Sequence, residues 1–208
     1  MTHNPKEGKM KATEILQQEH EVIKRMLKVL GAMADEARTG GRLEPADLQA
    51  VLEFIRTFAD RCHHGKEEGC LFPAMEAAGV PREGGPIGVM LAEHELGRGF
   101  VRQMQAAADA LAKGDAAATE ALLSAAQGYI SLLEQHIDKE DNVLYPIANM
   151  HLTPEQGQEL LEEFERLEQE QIGPGRHEEL HRLAEGLAAR YLQPHARAAE
   201  MHRCCCHG

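Results

Sequence analysis

The chain has 208 residues, 43% of them hydrophobic, and a formal net charge of −12. That length suits one sizeable domain that buries a core of its own. The acidic balance argues against nucleic acid or an anionic membrane as partner, and no apolar run approaches the length of a membrane span. The start, "MTHNPKEGKMK", is polar and lacks the apolar core of a signal peptide, so the expected location is the cytoplasm. Five Cys, three of them consecutive at Cys204–Cys206, do not suggest a disulfide framework. There is no Trp, other aromatics are few, and Ala, Leu, Glu and Gln abound, a mix that favours helix over strand.

Residues 1–11 read as a disordered N-terminus. A helix is predicted from about Ala12 to Arg38, with Leu16, His20, Ile23, Leu27 and Leu30 on one face. "TGGRLEP" breaks it, and Pro45 opens a second helix at a first-turn position. Its inward stripe is Leu48, Val51, Leu52, Ile55, Phe58 and Ala59, and it is expected to kink or stop near Pro73. A third helix runs from about Ile87 to Lys113, with Ile87, Met90, Leu91, His94, Val101 and Met104 inward. A fourth runs from about Ala116 to a stop near Pro146. Two further helices are expected at about Pro154–Gln171 and His177–Leu192, separated by "GPG". The expected fold is all-α: an antiparallel four-helix bundle over residues 12–150, built as two helical-hairpin repeats, with a helical extension at 151–192 and a flexible Cys/His tail at 193–208.

The repeat is written in the letters. "HHGKEEGCLFP" begins at His63 and "HIDKEDNVLYP" at His136, and both read His, two residues, Lys-Glu, an acid, two residues, Leu, an aromatic, Pro. The first helix of each hairpin carries a Glu-His-Glu, at His20 and at His94. The spacing is 43 residues from His20 to His63 and 42 from His94 to His136. Residues i and i+4 share a helix face, so His63 pairs with Glu67 and His136 with Glu140. On an α-helical wheel His63 falls on the apolar stripe, whereas His64 follows Thr57, Asp60 and Arg61 on a polar face. Four His and two Glu thereby converge on the interior, which is costly unless they are paired or bind metal. Imidazoles with carboxylates suit iron, zinc or manganese, and two bridging carboxylates with two His per ion describe a dinuclear site with open positions.

These residues resemble the hemerythrin-like family, the HHE cation-binding domains, over about residues 12–150. The resemblance implies a four-helix bundle holding two non-haem iron ions, with Glu67 and Glu140 as bridges and His20, His63, His94 and His136 as terminal ligands. Two departures stand out. Oxygen-carrying hemerythrins have a second His one turn after the third-helix ligand, where this chain has Arg98; His64 is the alternative source of a fifth imidazole if the second helix rotates. They also use His-x4-Asp on the last helix, which leaves Asp141 open as a rival to Glu140.

An imidazole-rich ferrous pair with an open position suits a small diatomic ligand, oxygen or nitric oxide, in sensing, storage or stress defence. An enzyme acting in iron-centre repair or on peroxide or nitric oxide is the alternative, and a metal store or structural metal bundle is a third. Tyr129, two turns before His136, either donates a hydrogen bond to a bound ligand or packs in the core. Cys62 reads as a small buried residue. His177 and His181 lie at i, i+4 on the last helix and either cap the bundle end or bind metal, and the "HRCCCHG" end is either a soft-metal wrap or an incidental terminus.

Overall fold

The computed structural model describes residues 11–193; the expected disorder of residues 1–10 and the Cys/His tail beyond residue 193 lie outside the described residues. The described chain is helical throughout, with no strand. It contains α1 (Ala12–Arg38), α2 (Pro45–Phe54), α3 (Phe72–Ala77), α4 (Pro86–Ala112), α5 (Ala118–Lys139), α6 (Tyr145–His151), α7 (Pro154–Leu167) and α8 (Arg176–Tyr191). Between some of these the chain continues helically with π-type turns, at Ile55–His64, Glu67–Leu71, Glu140–Leu144 and Glu168–Ile172.

The inward stripes produce this packing. Leu16, Ile23, Leu27 and Leu30 of α1, and Leu48, Val51, Leu52, Ile55, Phe58 and Ala59 of the second run, are all buried. On α4, Ile87, Met90 and Met104 are buried, while Leu91 and Val101 are half-buried. Helix α4 packs along α5 and against α2, and α1 packs against α5 and the π segment Ile55–His64. Gly128 of α5 lets Phe100 of α4 come close, since a Cβ there would lie 2.5 Å from the Phe100 ring.

Neither proline ends its helix. The run through Pro73 continues to Ala77 and the run through Pro146 to His151. In each case the turn before the proline widens. The amide of Phe72 donates to the carbonyl of Glu67, and that of Tyr145 to the carbonyl of Glu140, both i→i+5. A wider turn makes room for the ring that would otherwise strike the preceding turn, so the expected stop becomes a π bulge.

Two apolar clusters form. One holds Ile23–Met33 residues of α1, Phe54, Phe58, Met104, Leu122 and Tyr129; the other holds Leu16, Leu71, Phe72, Met75, Met90, Leu144 and Tyr145. His20, His63, His94, His136, Glu67 and Glu140 fall between the two along every run, as a buried polar layer. The two C-terminal helices span that layer. Leu160, Phe164 and Leu167 of α7 join one cluster, and Leu180, Ala184 and Leu187 of α8 join the other. Gly173 (φ 101°) and Gly175 (φ 75°) turn the chain between them, in a region of backbone space that glycine occupies freely.

Helices α7 and α8 are therefore part of the core. Phe164 is almost wholly buried, so Phe164→Ala is expected to lower unfolding stability by about 3–5 kcal/mol, measured by urea denaturation. A loss under 1 kcal/mol would show these helices to be an appendage.

Candidate metal centre

The structure brings together all six residues singled out by spacing. His20 comes from α1, His94 from α4, His136 from the end of α5, and His63 from the π segment after α2; Glu67 and Glu140 each open a π turn. Glu67 and Glu140 are both 0% exposed. Each carboxylate reaches imidazoles of both repeats. Glu67 Oε2 lies 3.4 Å from His94 Nε2 and 3.8 Å from His63 Nε2. Glu140 Oε2 lies 3.1 Å from His20 Nε2, and its Oε1 lies 3.1 Å from His136 Nε2. The imidazoles pair off, with ring centroids 4.6 Å apart for His20 and His63 and 4.7 Å for His94 and His136.

Every imidazole points Nε2 at this centre and Nδ1 at a second carboxylate. His20 Nδ1 lies 2.8 Å from Asp141, His63 Nδ1 3.0 Å from Glu19, His94 Nδ1 2.7 Å from Glu68, and His136 Nδ1 2.9 Å from Glu93. A carboxylate on Nδ1 fixes the ring's orientation and places the Nδ1 proton, leaving Nε2 as a ligand atom. Each outer acid in turn holds a cation. Lys24 lies 3.0 Å from Asp141 and Arg98 2.7 Å from Glu68, while Lys66 pairs with Glu19 and Lys139 with Glu93.

This outer layer explains the remaining letters of the repeat. Glu19 and Glu93 directly precede the lone His of each hairpin yet serve the His of the facing run. Glu68 and Asp141 directly follow the inner Glu and do the same. Asp141 thus sits behind His20, and Glu140 faces the centre. Arg98, in the place of the fifth imidazole, neutralises Glu68. Lys24 holds the equivalent place four residues after His20.

The charge pattern fits a cationic guest. The four outer acids each have a Lys or Arg; Glu67 and Glu140 have none among the described residues. Three of their four oxygens, together with His63 Nε2, are buried without a hydrogen bond of their own. The fourth, Glu67 Oε1, accepts from the Tyr145 hydroxyl at 2.7 Å. Buried carboxylates with unsatisfied oxygens demand a counter-charge, and here the nearest groups are imidazoles. Burial acts against a charged imidazole, but Asp141 and Glu140 outweigh it and raise His20 to about 9. His94 is likewise raised against burial, by Glu140, Glu67 and Glu68, to about 11. Burial also opposes the charge on Glu140, yet His136, His20 and His94 hold its carboxyl well below the usual range. The donor atoms also fall into two groups, each close enough to share one ion: His64, Glu67, His94 and His136, and His20, His63 and Glu140.

His64 is the correction. The α-helical wheel sets it on a polar outer face; it is 5% exposed. Its ring stacks on His94 with centroids 3.8 Å apart, and its Nδ1 lies 3.4 Å from Asp60. The segment Ile55–His64 is wound as a π-helix, in which each residue advances less around the axis, so neighbours 63 and 64 both face in. Burial, with His94 alongside, pushes the His64 pKa well down, so the ring is neutral.

Tyr145 is the second residue that spacing alone misses. It is the aromatic of "VLYP", fully buried, and it stacks on His20 with ring centroids 5.5 Å apart. Phe72 of "CLFP" occupies the equivalent place beside His94, at 6.0 Å, without a hydroxyl. Tyr129 is buried in the core cluster and lines a cavity of about 210 Å³ with Asp60, His64, Gly97 and Arg98. Cys62 and Cys70 are buried free thiols, and burial pushes Cys62 up to about 12, so it is not a thiolate at neutral pH.

A hemerythrin HHE cation-binding domain matches residues 11–148. The chain belongs to this family. Its HHE domain covers α1 to α5 and ends inside α6, while α7 and α8 lie beyond the matched segment. Uncharacterized proteins of Mycobacterium tuberculosis and Mycobacterium bovis are 28% identical over 162 residues, which is 78% of this chain and 63% of theirs. The chain thus aligns with under two thirds of those relatives' length. No solved structure matches it. No helix among the described residues is long and apolar enough to cross a membrane.

Lys66 marks where α7 meets the centre. It is 0% exposed, and it is clasped by Glu19 and by Glu168 of the π turn after α7. Burial works against the Glu168 charge, but His177 and Lys66 lower its carboxyl to about 2, from an ordinary value of 4.5. A carboxyl lowered by folding contributes stability above its unfolded pKa and loses it as pH falls through the folded value. Glu168→Gln is therefore expected to be less stable than wild type at pH 7, with the gap closing between about pH 4.5 and pH 2, followed by chemical denaturation across that range. A gap that stays constant with pH would mean the charge on Glu168 contributes nothing.

Proposed function

We propose that this chain is a hemerythrin-type non-haem di-iron protein that binds a small diatomic ligand, oxygen or nitric oxide, in the cytoplasm. In this reading residues 12–150 form an antiparallel four-helix bundle of two hairpin repeats. Glu67 and Glu140 would be the residues shared between two ions, and His20, His63, His94 and His136 would hold them from the four runs. The observation that carries it is the pair of uncompensated buried carboxylates, each within reach of imidazoles from both repeats.

The donor set favours iron in the ferrous state. Four imidazoles, neutral once they ligate a metal, and two carboxylates would bring less negative charge than a carboxylate-rich centre of the same size. Iron held there would supply the Lewis-acid and redox chemistry by which a diatomic molecule can be bound. The chain's own residues do the rest. The outer acids hold each Nδ1 and so aim each Nε2 at the centre. Tyr145 holds Glu67 from one side, the two apolar clusters exclude bulk water, and the cavity of about 210 Å³ lined by His64 and Tyr129 lies beside the centre with room for a diatomic molecule.

Bridges and outer acids respond differently to substitution. Glu140→Ala removes an anion between two cations in a poorly screened interior, so it is expected to lose both ions. Asp141→Ala only frees His20 to turn, so it should keep the ions and bind them about 10–100-fold more weakly. Iron per chain and exchange coupling read by magnetic spectroscopy separate the two. A Glu140→Ala protein with two coupled irons would refute the bridge assignment. Adding oxygen or nitric oxide to the anaerobically reduced protein tests the function. Reversible absorbance changes support ligand binding, and turnover of peroxide or nitric oxide would make it an enzyme.

A further inference from the structure

Helix α8 carries two imidazoles that the central layer does not use. His177 and His181 stand one turn apart, and their Nε2 atoms face each other at 3.2 Å. Both rings rest on the buried ring of Phe58, with centroids at 5.1 and 5.3 Å. That contact restricts their rotation. His177 Nδ1 lies 3.4 Å from Glu168 Oε2, and Glu168 is itself tied down by Lys66 through its other oxygen.

From this geometry we propose a second, mononuclear metal site at His177 and His181, distinct from the six-residue centre, for a divalent first-row transition cation of the nickel, copper or zinc class. The nitrogen spacing is the first argument. Metal–imidazole bonds of about 2.0–2.1 Å place two nitrogens on one tetrahedral ion about 3.3 Å apart, and the pair stands at 3.2 Å already. The second argument is the tautomer. Glu168 beside Nδ1 of His177 favours the proton there and directs the Nε2 lone pair outward. Two lone pairs at this distance repel unless a proton or a cation lies between them. The third is charge: Glu168 touches His177, Glu178 and Glu185 share α8 with the pair, and the whole chain is acidic. Imidazole donors without a thiolate suit nickel, copper and zinc. Water fills the remaining positions, because both rings are only half-buried.

The site is separate from the central layer. Glu168, Lys66 and Glu19 stand between His177 and His63. The proposal holds whichever metal fills the centre.

Calorimetric titration of the full, iron-loaded chain with Ni²⁺ alone tests it. Wild type is expected to take up one more Ni²⁺ per chain than His181→Ala, and His177→Ala is expected to show the same loss. Both variants should keep their iron and their helical circular dichroism. Glu168→Gln should retain the ion but bind it about tenfold more weakly. In wild type, Ni²⁺ should broaden amide resonances around residues 177–181 by paramagnetic relaxation. Equal Ni²⁺ uptake in wild type and both His variants, or broadening centred elsewhere, would overturn the proposal. So would an uptake difference that appears only with loss of iron or helix.

Discussion

Two carboxylates placed where water cannot reach them set the terms for the rest of this molecule. Glu67 and Glu140 are buried between two apolar clusters, with no Lys or Arg of their own among the described residues. An isolated buried anion is expensive, by several kcal/mol even after relaxation. The fold must hold imidazoles against both, and it draws one from each of four helical runs. Those imidazoles need fixed orientations, which four outer acids supply, and the acids need neutralising, which Lys24, Lys66, Arg98 and Lys139 supply. Charge alternates outward in shells from the centre. A cation inside the innermost shell would complete the alternation.

Helices α7 and α8 lie outside the HHE domain but inside this scheme. They close over the polar layer by joining one apolar cluster each, and their connecting turn drops Glu168 onto Lys66. Lys66 is thereby shared between the acid that orients His63 and a residue of the added segment. A chain ending at residue 148 would leave that ammonium with one partner and with Phe164 gone from above it.

Much of this could be read from the letters because an α-helix repeats reliably. Leu16, His20, Ile23 and Leu27 declare one face, and two copies of His-x3-Glu at matching distances point to one centre. The reading failed where the helix stops being α. Over Ile55–His64 the wider winding carries His64 inward, and at Pro73 and Pro146 a π turn lets the helix continue. Nothing in composition announces such a turn, although a proline six residues after each inner Glu is a usable sign of one. The outer acids, with Lys66 and Lys139, stand in the sequence as "EH", "KEE" and "KED". Their partners were not legible, because each serves a histidine on a different run, and such pairings exist only once the helices are packed.

The two repeats match in letters but differ in shelter. Lys66 is sealed beneath α7, whereas its counterpart Lys139 is 38% exposed and has Glu93 alone. Dissolved ions screen charge pairs that water can reach and scarcely touch those it cannot. Ionic strength therefore acts on one half of the centre more than on the other. Salt loosens the support behind His136 and leaves that behind His63 in place, so a centre built from near-identical halves does not present two equivalent halves to its surroundings.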